Sequence, residues 1–304
     1  MKHIRDLRAA LPIFKCLGSD IRISILELLY QKGSMRMTDI ADELGITSGS
    51  LSPHIKMLSE NGFIAISFSS GKHGVQRMCS VCDQRVLVDP DYKSRDFNVY
   101  ETEIGLGQYT GYEVYPTCGI ATTDHLIGIE DEPSYFASPE RVNAAILWLG
   151  HGYVEYMIPN FLKQDQRPVE LQISMEIASE APGFCEDWPS DVYFYINGVE
   201  LGYWTCPGDF GKVQGIYTPS WWNRNWNQHG QFKLLSVDEN GTHVDGVKRS
   251  DVTLRQLGIK PGAPITLRIA APKTAKHAGG LTLYGRSFGN YDQDLKVRMH
   301  YMQR

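Results

Sequence analysis

The texture of this chain shifts near residue 90, and that shift points to two units of different class. Before residue 90 glycine is scarce, and apolar residues recur at the three- and four-residue steps of a helix face. After it come alternating runs, most of the glycines and all six tryptophans. A helix-period pattern does not settle as a strand, nor the reverse. The sequence therefore predicts an α+β protein, with a mostly helical head over 1–90 and a mainly β body over 91–304. Charge divides at the same place. The head holds eleven Lys/Arg against nine Asp/Glu, a net of +2, and the body nineteen against twenty-six, a net of −7. A mildly basic head on an acidic body points to two different partners.

In the head, Ile4, Leu7, Leu11 and Phe14 fall on one face of a first helix. Ile21, Ile25, Leu28 and Leu29 do so in a second, capped by Ser19 or Asp20 and ended by Gly33. A short third helix over 38–44 buries Ile40, Ala41 and Leu44. Gly45 offers the left-handed backbone of a sharp turn. Thr47 then caps a fourth helix with inner face Leu51, Ile55 and Leu58, stopped by Asn61 and Gly62. Two short helices joined through Gly45-Ile46-Thr47 form a helix-turn-helix. Alternation over 63–68, turn residues over 69–74 and an extended 75–81 add a hairpin wing.

The outer face of the fourth helix carries Ser48, Gly49, Ser50, Ser52, Pro53 and Lys56. Small hydroxyl side chains let a helix sit deep in a major groove, where serine meets base edges. Candidate contacts to double-stranded operator DNA are therefore Thr47, Ser48, Ser50, Ser52 and Lys56, with Lys72 and His73 at the wing tip and Arg77 on its return strand. Pro53 lacks an N–H and predicts a slight bend.

Residues 14–22, 37–47, 51–58 and 62–64 give the head its likeness. Over about 90 of the 304 residues it resembles the ArsR family of winged-helix repressors. The resemblance implies a homodimer on a roughly palindromic operator. The family's thiolate metal site lies on the helix before the recognition helix, and 37–44 contains no cysteine or histidine. Cys79 and Cys82 form a Cys-x-x-Cys on the wing's return strand, where residues three apart point to opposite faces. A lone pair also falls short of a tetrahedral zinc site. No metal and no cofactor is expected. Metal or thiol sensing through Cys79, Cys82 or Cys118 is the alternative.

The body alternates over many short runs separated by Asn197-Gly198, Pro207-Gly208, Asn240-Gly241 and Pro261-Gly262. That pattern predicts an antiparallel jelly roll or β-sandwich. One helix is expected over 139–149, capped by Ser138, and a second short one over 253–257. Between Tyr203 and His229 lie four tryptophans among several asparagines. Aromatic faces stack on sugar C–H faces, and amides hydrogen-bond sugar hydroxyls, the mix expected of a small-molecule pocket. The candidate ligand residues are Tyr112, Tyr115, Trp204, Trp221, Trp222, Asn223, Asn225 and Gln228. Core filling is the competing role for these aromatics. Neighbours in a strand face opposite ways, so Trp221 and Trp222 converge only if Pro219 and Asn223 bound an irregular loop. Through 113–119 and Trp221-Trp222, the body also looks like the effector half of ArsR-like regulators with a carbohydrate-binding-like sandwich.

These features predict a cytoplasmic, homodimeric DNA-binding repressor whose DNA affinity responds to a sugar or oligosaccharide. No apolar run reaches the roughly 18–20 residues of a membrane span, and residues 1–6 lack the apolar core of a signal peptide. Six cysteines in 304 residues are too few for a disulfide scaffold. No enzyme is expected: there is no phosphate loop, no His-Glu-x-x-His and no triad. Glu113, Asp187, Asp191 and Asp209 are the acids a glycosidase-like pair would draw on, though nothing in their spacing requires one.

Overall fold

The computed structural model describes residues 2–4, 7–71, 74–82, 86–88 and 98–303. Contacts divide the chain into Met1–Arg95 and Asp96–Arg304. The first unit holds helices α1 (Leu7–Leu17), α2 (Asp20–Lys32), α3 (Met37–Glu43) and α4 (Ser48–Glu60). Its strands are β1 (Lys2–Ile4), β2 (Met35–Arg36), β3 (Ile64–Gly71), β4 (Gly74–Val81) and β5 (Val86–Val88). β3 and β4 form the antiparallel wing, β2 extends it beside β4, and β1 pairs with β5 in parallel. Ile25, Leu29, Ile40, Leu51, Ile55 and Leu58 meet in one buried cluster. Each contributes about 1.5–3 kcal/mol by leaving water.

The inner face of α1 differs from the expected one. Ala10, Ile13 and Cys16 are buried, while Leu11 and Phe14 stand 41% and 45% exposed. Ile21 of α2 is exposed too. The α1 sequence is apolar on two faces, so periodicity alone does not say which one meets the core.

Among its described residues, the second unit is a sheet of twelve strands. These are β6 (Asn98–Ile104), β7 (Tyr109–Ala121), β8 (Ile146–Ile158), β9 (Gln166–Ala178), β10 (Ser190–Ile196), β11 (Val199–Cys206), β12 (Gln231–Val237), β13 (Thr242–Val244), β14 (Val247–Ser250), β15 (Ile265–Ala271), β16 (Leu281–Tyr284) and β17 (Leu295–Gln303). The main path runs β11-β10-β15-β8-β16-β9-β12-β13-β14, with β7 on β8, β17 on β9 and β6 on β17. The sheet forks at β8. One edge of β8 pairs first with β16 and then with β15, while its other edge pairs with β7 throughout. The forked antiparallel sheet is nearly barrel-like around one core that includes Leu147, Val154, Ile173, Phe194, Leu267 and Leu283.

The helix expected over 139–149 does not form. A 3-10 turn spans Pro139–Asn143, and 146–149 opens β8 with all four side chains buried. That run is apolar on every side, so it suits a strand covered on both faces. A 3-10 turn, Leu254–Leu257, occupies the second predicted helix position.

One buried carboxylate anchors the long loops. Glu176 on β9 accepts backbone N–H bonds from Gly230 (2.8 Å), Asn290 (2.9 Å) and Tyr291 (2.8 Å). Backbone donors aimed at a carboxylate stabilise its charge inside the protein. This holds the end of the loop that carries Trp221 and Trp222.

Candidate nucleic-acid interface and ligand pocket

The turn between α3 and α4 is built from local chemistry. Gly45 has φ +64°, and the Ile46 N–H closes back on the Ala41 carbonyl at 3.0 Å. Thr47 caps α4: its Oγ1 accepts from the Ser50 N–H at 3.2 Å and lies 3.0 Å from the Ser50 hydroxyl. Such a cap is worth about 1 kcal/mol. Leu51, Ile55 and Leu58 pack inward, leaving Thr47, Ser48, Ser50, Ser52 and Lys56 exposed. Pro53 lies within α4 without ending it. Lys56 sits 3.8 Å from Glu60, a surface pair of little energetic weight. Arg77 is exposed on β4, and Lys72 and His73 lie outside the described residues.

Arg22 was missed by the sequence reading. Its guanidinium donates to the Lys15 carbonyl at 2.8 Å and to the Cys16 carbonyl, and lies 3.2 Å from His54 Nδ1 on α4. A cation on the last carbonyls of α1 suits the negative end of that helix. It also ties α1, α2 and the recognition helix together. No local pattern marks such a residue, because its partners lie on two other helices.

In the second unit, Trp222 closes a pocket of about 80 Å³ with Trp148 from β8 and Trp226 from the same loop. The four residues from Trp221 to Arg224 form no strand, so the loop is irregular. Trp222 meets Trp148 edge-on at 5.8 Å, Trp226 at 4.8 Å and Phe288 at 5.0 Å. Its indole N–H donates to the Asn227 carbonyl at 2.7 Å. Gly119 on β7 makes room for Trp148, since a Cβ there would come within 2.2 Å of the ring. Glu180 lies on the pocket wall, and Glu130 and Asp131 stand exposed at its edge. Glu180 accepts from the Thr117 hydroxyl at 3.1 Å, the Asn227 amide at 3.3 Å and the Thr282 hydroxyl at 2.9 Å. Burial and the nearby Asp209 carboxylate push Glu180 well above the usual carboxylate range. Burial alone pushes Asp209 up to about 8.

Residues 19–65 match the family model for winged helix-turn-helix DNA-binding domains. Over 77 residues the chain is 34% identical to an uncharacterized HTH-type transcriptional regulator of Methanocaldococcus jannaschii, covering 25% of this chain and 82% of that protein. The chain belongs to the winged helix-turn-helix DNA-binding family. It is a DNA-binding transcriptional regulator. A solved transcriptional regulator homologue from Pyrococcus horikoshii OT3 aligns over 23% of the regulator and 68% of its own length, with 23% identity and a TM-score of 0.22. The ANX2 ectodomain of Arabidopsis thaliana aligns over 75% of the regulator and 62% of its own length, with 12% identity and a TM-score of 0.27. Among the regulator's described residues, no helix is long and apolar enough to cross a membrane.

The regulator divides its candidate ligand residues among several places. Trp222 alone lines the tryptophan pocket. Trp221 is exposed and donates to the Thr123 carbonyl at 2.6 Å. Trp204 is a core residue on β11, with the Lys233 ammonium 4.4 Å from its ring centre. Gln228 is buried, its amide donating to the Asn223 and Trp226 carbonyls as a loop brace. Asn223 and Asn225 are exposed and hydrogen-bonded to each other. Tyr112 packs edge-on against Tyr109 at 5.5 Å. Tyr115 stacks on His151 at 4.3 Å in a separate, wider groove of about 350 Å³ with Glu113, Tyr153, Arg268 and Lys273. Trp148, Glu180 and Asn227 were missed; the chain brings them together from β8, a loop and a distant turn.

The other chemistry considered is also scattered. Asp191 is held by Thr205 and His277, Asp209 is buried, Asp187 is exposed, and Glu113 lines the wide groove. None of the four lines the tryptophan pocket. Cys79 is buried on β4, and Cys82 lies just beyond that strand. Burial raises both thiols, and it raises Cys118 to about 12. The reactive and ligating form is the thiolate, which these sites disfavour. Among the described residues, no group of three or more His, Cys, Asp or Glu side chains is placed to hold a metal.

Proposed function

We propose that the regulator is an ArsR-like repressor, a cytoplasmic homodimer with no catalytic step, released from its operator when a sugar binds the Trp222 pocket. One observation carries this reading: a tryptophan-walled pocket with buried polar groups shares a chain with a winged helix-turn-helix. Indole faces cover the C–H face of a sugar ring, and carboxyl oxygens accept hydrogen bonds from its hydroxyls. A coupling of about 1–3 kcal/mol between the two sites suffices for a 5- to 150-fold change in operator affinity. The exposed Leu11 and Phe14 of α1 favour the homodimer, since a second copy would cover them. A thermal-shift screen of the full chain against a sugar library tests the effector, because a ligand of the native state raises the midpoint. Hits are then added to the DNA-bound protein. If no sugar shifts the midpoint or alters DNA binding, the effector reading fails.

On the DNA side, Lys56→Ala and Arg77→Ala are each expected to weaken binding to all sequences alike. Each should reduce the salt slope by about one unit, the signature of a lost phosphate contact. Fluorescence anisotropy over a salt series checks this, and an unchanged slope removes that residue from the interface. Ser50 acts differently in this reading. Its hydroxyl is shared with the Thr47 cap, so Ser52→Ala is the cleaner probe of base contact. It is expected to relax preference at one position per half-site by about 1–3 kcal/mol, measured on a randomised operator library.

A further inference from the structure

Resting on the reading of the Trp222 pocket as the effector site, we propose that its ligand is an amino sugar, bound through its ammonium group. The argument is a count of donors and acceptors. The Thr117 hydroxyl is spent on Glu180 at 3.1 Å, and the Asn227 amide on Glu180 and Thr282 at 3.3 Å each. The Trp222 N–H is spent on Asn227 at 2.7 Å. Beyond the Trp148 and Trp226 indoles, the ionisable side chains of the wall are all acids: Glu130, Asp131 and Glu180, the last a full acceptor only once its proton has left. Among the described residues, no lysine, arginine or histidine lines it. A sugar hydroxyl needs to accept as well as donate, whereas an ammonium carries three donors and no acceptor. Tryptophan faces add attraction for a cation.

Electrostatics agree. Glu180 is faced by Thr117 from β7, Thr282 from β16, Asn227 from the loop, and the Asp131 and Asp209 carboxylates. No cation is among the groups that shift it, and burial favours its protonated form. An ammonium entering beside it favours the carboxylate. Glu180 then gives its proton to solvent, and the ammonium keeps its own.

Isothermal titration of the full chain with glucosamine, glucose, N-acetylglucosamine and putrescine tests this, run in two buffers of different ionisation heat. Glucosamine is expected to bind about ten-fold tighter than either neutral sugar, the worth of one charge-assisted hydrogen bond, with proton release seen only for it and putrescine. Asp131→Asn, which keeps the acceptor that holds the Cys118 N–H at 2.8 Å, is expected to erase most of that preference. Glu180→Gln is expected to abolish the proton release. Equal affinity for the three sugars overturns the amine while leaving a sugar effector standing. Putrescine binding as tightly as glucosamine overturns the sugar part. Binding of none of the four overturns the proposal and the pocket's assignment together. Glucosamine binding unaltered in both variants places it outside this pocket and overturns the proposal.

Discussion

Trp222→Ala is expected to cost the β body about 3–5 kcal/mol, the range for deleting a large buried aromatic, and to remove the response to ligand. Trp221→Ala should leave stability within about 1 kcal/mol of wild type, as a surface change does. The two rings are neighbours in sequence and opposites in environment. Trp222 is 4% exposed, packs on Trp148, Trp226 and Phe288, and fixes the Asn227 carbonyl. Asn227 in turn holds Glu180, so losing Trp222 also loosens the pocket's buried acid. Trp221 is 38% exposed, makes one hydrogen bond to a loop carbonyl and meets only the Trp222 edge at 5.4 Å among the described rings. All six tryptophans lie in the body, so urea unfolding followed by indole fluorescence reports that unit specifically. Trp222→Phe keeps most of the packing and separates the two effects. A folded Trp222→Phe protein with an unchanged ligand response would move the effector site to the groove beside Tyr115 and His151. A loss of less than about 1 kcal/mol in Trp222→Ala would contradict the packing argument.

The second large effect is a dependence of stability on pH centred on Asp209. Its carboxyl is fully buried, with Oδ2 accepting one N–H from Ala181 at 3.2 Å and no partner at Oδ1. Burial raises it from 3.8 to about 8 in the folded chain. Between those values the folded protein keeps a proton that the unfolded chain releases. Its contribution is therefore fully present below about pH 4. It is lost as pH rises toward about 8, at up to about 1.4 kcal/mol per unit. Glu180 is shifted in the same sense and adds to the slope. Asp209→Asn carries no ionisable proton, so its body is expected to lose less stability over this window and to exceed wild type at the alkaline end. Urea midpoints at several pH values, read by tryptophan fluorescence, check this. Parallel pH profiles for the two proteins would refute it.

Much of the head was legible because its determinants are local. Gly45 turns the chain and Thr47 caps the next helix within three residues, and Leu51, Ile55 and Leu58 share a face by spacing alone. The face of α1 was not legible, because Leu11 and Phe14 repeat at helical spacing just as Ile13 and Cys16 complete the other side. The body's strand content followed from alternation and turn residues. Its 144–149 run did not, since an unbroken apolar segment has no period to read.

The sequence by itself determined the two-unit α+β plan and the helix-turn-helix with its wing, and it marked the cluster of tryptophans between 203 and 229. Only the tertiary structure decided which aromatics are wall and which are core. Trp204 and Trp222 are both buried, yet one packs within the main core and the other closes the pocket. It also supplied Glu180, which meets Asn227 across 47 residues and Thr282 across 102. Caps, turns and faces depend on neighbours a few positions away. A pocket depends on which distant strands pair, and at β8 two strands share one edge in a way no local pattern encodes.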